Sequence, residues 1–449
     1  MGLNRFRYAP AVLFILGSLI LSGFPLHPEL FANGKDKDYH LWYGVGQRVI
    51  YGSYMYDTKN GSFDFLYPPF AGVLLAIPSS LGKTGLVIAF TIGNVISWWA
   101  AVKLSNRLAV FGQPVTPVMA VMPSFLVIAF IYEMFFLGQP NLFLLVLMLG
   151  GFACLRKSGD WEIPAGGLFA LAAAIKAFPV VVIFYLLWRR NWLAAGSMVL
   201  WLAFFLVLVP APIRGYDKNL SELKQWANGM FSTDESGGFS QRSARNLGWK
   251  NQSLISVGHR YLRHINADEE ERLEKIKKNE TPNPPVYVNI VDLEPMEANL
   301  VILGVAGLIG LGYVLLMPAR KRRTPLSNAA ETGMMLSLMT IACPVAHPYY
   351  YVWFLFPYTV LIERAINDES RAVRRATIGL MVLATVLFCL SAEGLKPHYP
   401  QALGSTLAAG FVVLGALGWH MRRTAGTGIV AVPEEKVKIE SKSTWSYAA

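Results

Sequence analysis

Charge is scarce in this sequence. Asp, Glu, Lys and Arg make up 15% of its 449 residues, where an ordinary soluble chain carries about 25%. Beside 54% hydrophobic residues and a mean hydropathy of +0.39, that deficit excludes a soluble multidomain protein. Cysteine is nearly absent too. Cys154, Cys343 and Cys389 lie in apolar runs at no metal-ligand spacing, which excludes a disulfide framework and any cysteine-held zinc or iron–sulfur site. The charges that do occur are unevenly spread. Residues 214 to 298 hold 25 of the 40 basic and 29 acidic residues, so one polar module interrupts a membrane body. A net charge of +11 would point to nucleic acid in a soluble protein. In a membrane protein, excess Lys and Arg record topology and contact with anionic lipid, and no nucleic-acid partner is expected.

A helix crossing the hydrocarbon core needs about 20 largely apolar residues, so uncharged stretches mark the spans. They are expected at 8–29, 84–104, 117–136, 141–155, 192–210, 299–317, 326–343, 349–363, 375–391 and 403–420. The first lacks a small-residue cleavage site and is expected to be retained. Ile163 to Trp188 is too long and too polar at its centre for one span, with Lys176 and Pro179 in its middle, and is split into two short helices meeting near Lys176. Twelve spans result, with 66–80 as a further short helix on the outer face. Their short inside segments carry Lys103, Arg107, Arg156, Lys157, Arg189, Arg190 and Arg320 to Arg323, while the outer turns carry little beyond Lys176 and Lys396. This asymmetry places both termini in the cytoplasm of a plasma or inner membrane. The expected organisation is a membrane module over 1–210 with its first outer loop at 26–83, a large outer loop at 211–298, membrane helices over 299–423, and a disordered tail over 424–449.

Several polar residues stand out against this background. Asp38 opens a segment with aromatics at helical spacing (Tyr39, Trp42, Tyr43), the pattern of an amphipathic helix resting at the interface. Its carboxylate reads either as a helix N-cap or as an acceptor for a hydroxyl proton. Tyr67-Pro68-Pro69 reads locally as a helix start, and Gly138-Gln139-Pro140-Asn141 as a tight capped turn between spans. Lys176 is an ammonium at membrane depth; it either binds a phosphate or carboxylate or snorkels to the interface. The long loop carries Arg245-Asn246-Leu247-Gly248-Trp249-Lys250-Asn251-Gln252, then His259-Arg260, a mixture suited to sugar or phosphate recognition but shared by plain soluble loops. Asp268 to Glu280 reads as a solvated helix face. His347, among Tyr349, Tyr350 and Tyr351, is either a donor to substrate or a structural histidine in an aromatic belt.

Taken in order, these motifs resemble the family 87 glycosyltransferases, membrane enzymes of the GT-C fold, over about residues 8 to 420. The resemblance implies an all-α polytopic fold, an extracytoplasmic site, and inverting transfer of a mannose-like hexose or arabinofuranose. The implied donor is a polyprenyl-phosphate sugar and the implied acceptor a glycolipid or glycan. It also implies Asp38 as general base and Tyr67, Gln139, Asn141, Lys176, Asn251, Gln252, Arg260 and His347 as substrate-binding residues. Where the family has Lys-Pro-x-Pro, this chain reads Lys176-Ala-Phe-Pro179, which keeps the charge but departs at the helix junction. No paired acidic constellation demands a metal, so no metal and no cofactor is expected. The alternative from another class is a multispan transporter or flippase of a lipid-linked or anionic substrate. Matching broken helices in two repeated halves would favour it, and no such internal similarity occurs.

Overall fold

The computed structural model describes residues 8–27, 38–56, 65–111, 113–157, 159–231, 246–392 and 398–426. Arg245, Lys396 and almost all of the tail assigned to disorder lie outside these residues. Every regular element among the described residues is a helix. In chain order the main ones are α1 (Ala9–Leu26), α2 (Asp38–Ile50), α3 (Pro69–Ser79), α4 (Gly82–Ala109), α5 (Pro117–Leu126), α6 (Ile128–Leu137) and α7 (Asn141–Leu155). They continue as α8 (Glu162–Ile175), α9 (Val182–Trp188), α10 (Trp192–Ala203), α11 (Tyr216–Phe231), α12 (Leu254–Leu262), α13 (Glu269–Lys277) and α14 (Pro295–Leu316). Last come α15 (Pro325–Ile341), α16 (Leu355–Asn367), α17 (Arg371–Cys389), the short α18 (Tyr399–Ala402) and α19 (Ser405–Thr424).

Helices Ala9–Leu26, Gly82–Ala109, Trp192–Arg214, Pro295–Leu316 and Arg371–Cys389 are each long and apolar enough to cross a bilayer. The side chains of α1 and α14 face outward as rows of Leu and Ile, including Leu13, Leu16, Leu19, Leu303, Leu308 and Leu315. Water would not tolerate such continuous apolar faces, and a lipid environment does. The chain is an integral membrane protein. Each expected span coincides with helix, but several are too short to cross alone, so helix length does not establish the number twelve.

Two of the expected elements differ. The span read as 117–136 is two helices, α5 and α6, bent by 62° at Val127, so that α6 runs up to Gly138 at its own angle. The segment 66–80 is packed into protein and not left exposed: α3 is buried through Pro69 to Val73 and again at Leu75 and Ser79, between α2 and α4. Gly46 of α2 comes so close to it that a Cβ there would meet Ser79 Oγ and the Leu75 carbonyl. The break at Lys176 does occur. The helix α8 ends at Ile175, Lys176 is extended (φ −145°, ψ 119°), and a 3₁₀ turn at Phe178–Val181 restarts the chain into α9. Pro179 cannot donate to a continuing helix, which is the local reason for the stop.

Candidate active site

The aromatic residues after Asp38 face inward. Tyr39 and Trp42 are each 3% exposed, and both donate hydrogen bonds into the end of α6. Tyr39 Oη reaches the Phe135 carbonyl at 2.7 Å and Trp42 Nε1 the Gly138 carbonyl at 2.8 Å. The expected interfacial helix is therefore a docked one. A buried Trp or Tyr needs a partner for its polar tip, and the carbonyls freed at the C-terminus of α6 supply it. Gly138 sits at φ +80° to turn the chain there.

This docking fixes Asp38, the first residue of α2, beside the Gly138-Gln139-Pro140-Asn141 turn. Gln139 Nε2 donates to Asp38 Oδ2, and Tyr67 Oη donates to Gln139 Oε1 at 3.1 Å. Gln139 and Asn141 are 1% and 0% exposed, so both amides are removed from water and held by named partners. Burial pushes the Tyr67 hydroxyl well above the ordinary phenol range, with Tyr349 and Asp38 adding to the shift, which keeps it a neutral donor. The segment carrying Tyr67 is braced from the long loop, where Trp226 Nε1 of α11 donates to the Leu66 carbonyl at 3.1 Å. Glu222 of the same helix pairs with Arg214, both side chains fully buried, and accepts from the Met55 amide at 3.0 Å.

Lys176 enters the same cluster from the α8 break. Its Nζ donates to Asn141 Oδ1 at 3.0 Å and lies 3.8 Å from the centroid of the Tyr350 ring, 5.1 Å from Tyr67 and 5.5 Å from Tyr349. Three ring faces around one ammonium offset its desolvation by about 2 kcal/mol where such contacts are dry. Lys176 does not snorkel: it is 7% exposed and held among aromatics. His347, 8% exposed, precedes the 3₁₀ segment Pro348–Phe354, and its ring stacks on Tyr349 with centroids 5.5 Å apart. Asp38, Tyr67, Gln139, Asn141, Lys176 and His347 thus form one connected cluster.

Three sequence-derived candidates are placed otherwise. Asn251 donates to the Asn246 and Pro344 carbonyls, and its Oδ1 accepts from the amides of Ser253 and Ala346. Gln252 donates to the Trp249 and Gln401 carbonyls. Arg260 is 0% exposed, and its guanidinium donates to the carbonyls of Ala402, Leu247, Gly248, Asn251 and Gln401 and to Ser256 Oγ. Its Nε and Nη1 donors are taken up by these acceptors, while Nη2 makes a single long contact of 3.5 Å. All three brace the loop before His347, and Gln252 Oε1 is buried with no hydrogen-bond partner among the described residues. The pattern missed Tyr350 as a ring for Lys176, Tyr39 and Trp42 as docking residues, and the Arg214–Glu222 pair. Only the aromatic run at 349–351 carried a signal that could have found the first of these.

An apolar cavity of about 280 Å³ opens beside the polar cluster, lined by Trp42, Phe65, Tyr67, Phe90, Phe143 and Ile175 among others. Tyr67 belongs to both, and Pro140 and Ile175 adjoin the cluster's Gln139, Asn141 and Lys176. A half-buried carboxylate, a buried ammonium and an apolar chamber stand side by side, a combination suited to an amphiphile with an anionic head.

The family profile described as Glycosyltransferase family 87 matches residues 65–348, more than half of the chain. The chain belongs to glycosyltransferase family 87 and is a membrane glycosyltransferase. The matched region holds Tyr67, Gln139, Asn141, Lys176 and His347, while Asp38 precedes it. No curated protein shows a significant sequence match. Among solved structures, the chain is similar to the crystal structure of ArnT from Cupriavidus metallidurans bound to undecaprenyl phosphate. The two share 13% identity over 92% of this chain and 78% of that one, with a TM-score of 0.42. At that score the likeness says nothing of what this chain binds.

Proposed function

We propose that the enzyme transfers a sugar, a mannose-like hexose or an arabinofuranose, from a polyprenyl-phosphate donor to a glycolipid or glycan acceptor on the extracytoplasmic face, with inversion. The observation that carries this reading is the contact chain Asp38–Gln139–Tyr67–Lys176–Asn141 at the rim of an apolar cavity. A polyprenyl tail suits the apolar lining, and its phosphate suits the ammonium beyond Tyr67.

In this reading the Asp38 carboxylate takes the proton of the acceptor hydroxyl as its oxygen attacks the anomeric carbon. The bond from that carbon to the phosphate oxygen breaks, and its electron pair leaves with the polyprenyl phosphate. Lys176 offsets the charge that develops there, in surroundings too apolar for water to do so, and His347 donates to the same group. One carboxylate suffices because a single displacement inverts the centre; no second nucleophile is required. Gln139, held by Tyr67, orients the base. Asn141 does the same for Lys176. Neither a metal nor a cofactor is required by these steps.

The test uses purified enzyme in lipid nanodiscs with a panel of polyprenyl-phosphate sugars. Asp38→Asn keeps an acceptor for Gln139 but removes the base, and is expected to lower kcat by about 10²- to 10⁴-fold with an unchanged melting temperature. Full activity in that variant sinks the assignment of the base, and transfer from none of the panel sinks the donor class.

A further inference from the structure

Away from this cluster, the long loop gathers a second set of titratable residues. Asp268 immediately precedes α13, and Glu271 follows one turn later on the same face. His398 comes from the far end of the chain, just ahead of α18. One ligand atom from each of the three lies within 4.8 Å of the others. The run read from sequence as a solvated helix face is therefore not uniform, because Asp268 is 2% exposed and turned inward.

Two features of the histidine call for an explanation. His398 is 2% exposed, and neither ring nitrogen makes a hydrogen bond among the described residues, while Nε2 stands 3.3 Å from Glu271 Oε2. Its ring is fixed in place, stacked on Trp249 at 3.8 Å with 17° between planes. Asp268 is likewise oriented by outer contacts: Trp249 Nε1 donates to its Oδ1 at 2.9 Å and Asn283 Nδ2 to its Oδ2 at 2.8 Å. No Lys or Arg pairs with Asp268 among the described residues.

We propose that Asp268, Glu271 and His398 bind one divalent transition-metal ion of the zinc type, which clamps the long loop to the C-terminal helices. Two carboxylates offset the 2+ charge, the imidazole supplies the nitrogen that such ions prefer over calcium or magnesium, and water completes the shell. Ligands about 2.0–2.2 Å from a tetrahedral ion stand ~3.3–3.6 Å apart, and the Glu271–His398 separation of 3.3 Å already meets this. Trp249 and Asn283 supply the outer hydrogen bonds that hold metal-bound carboxylates in place. The ion ties together α13, the segment around Trp249, and α18, whose Gln401 and Ala402 carbonyls receive Gln252 and Arg260. Asn251, next in that segment, holds the Ala346 amide beside His347, so the clamp stiffens the frame behind the candidate active site. The role is structural and stands independently of the transfer reaction proposed above.

Tag-free full-length protein in detergent, stripped with EDTA and passed through gel filtration, is titrated with ZnCl₂, and bound metal is measured by elemental analysis alongside the melting temperature. One equivalent of zinc per chain is expected, with a raised melting temperature. His398→Ala and Glu271→Gln are each expected to weaken binding by at least ~10-fold, and Asn283→Ala by about 10-fold through the outer shell. Glu271 is the more exposed ligand, so its variant serves should His398→Ala fail to fold. Sub-stoichiometric zinc, zinc retained equally by the His398→Ala and Glu271→Gln variants, or uptake of calcium but not zinc overturns the proposal.

Discussion

Lys176 and Arg260 are both cations withdrawn from water, yet their neighbours give them different work. Arg260 is surrounded by carbonyls, and burial pulls its pKa down to about 9, still on the protonated side of neutral pH. Replacing it by Met strands several buried carbonyls at once. Each orphaned group costs about 1–3 kcal/mol, so Arg260→Met is expected to lower the melting temperature markedly and to lose activity only in proportion to folded protein. Lys176 has one amide oxygen and three ring faces for company, an arrangement that holds a charge in place without exhausting its donors. Lys176→Met is expected to cut kcat/KM by at least ~100-fold while the melting temperature changes little, because in the proposed reaction it removes the charge that offsets the leaving phosphate. Thermal unfolding and donor kinetics measured on the same preparations check both expectations. Equal loss of stability in the two variants would contradict this division of roles.

At the level of elements, the site depends on how α2 meets the end of α6. Gly138 is at φ +80°, and a Cβ added to it would fall 2.6 Å from the Tyr39 ring. Gly138→Ala therefore brings both a strained backbone and a clash, together about 1–3 kcal/mol, and pushes α2 off the turn that carries Gln139. The expected outcome is a lower melting temperature together with a fall in kcat larger than the lost folded fraction explains, since Asp38 moves with Tyr39. A wild-type kcat in Gly138→Ala would show that docking of α2 does not position the base. The break between α8 and α9 is the second such element. It was legible from sequence because an ammonium and a proline in the middle of one apolar run cannot both be accommodated in a regular span. The bend between α5 and α6 was not legible: its apolar run is continuous from Val118 to Leu137 apart from Pro123, Ser124, Glu133 and Tyr132, and hydropathy does not sense a change of axis. The packing of α3 was hidden for a related reason. An eleven-residue apolar helix reads the same whether it lies on a membrane surface or between two other helices.

For the whole molecule, the charge pattern carries the orientation. Basic residues cluster at the ends of spans that the positive-inside rule assigns to the cytoplasm, and by the same rule the acidic-basic long loop is expected on the other side. In a Cys389→Ser background, which removes an exposed thiol, Lys278→Cys on the long loop is expected to react with a membrane-impermeant maleimide in intact cells, and Arg320→Cys only after lysis. The reverse pattern would invert the orientation and move the proposed chemistry to the cytoplasmic face.

Composition alone was enough to determine a membrane body with one polar interruption, since 15% charge cannot solvate a globule of this length and the uncharged runs match the thickness of a bilayer. The ordered motifs were enough for the family. Only the tertiary structure decided which polar side chains meet at one place and which brace the frame. Gln139 and Gln252 carry the same amide and are each 1% exposed, yet one holds the Asp38 carboxylate and the other donates to the Trp249 and Gln401 carbonyls. Those partners stand 101 and 149 residues away for Asp38 and Gln401, so no local pattern contains them. The work a buried donor does is set by the acceptors that folding brings within about 3 Å of it.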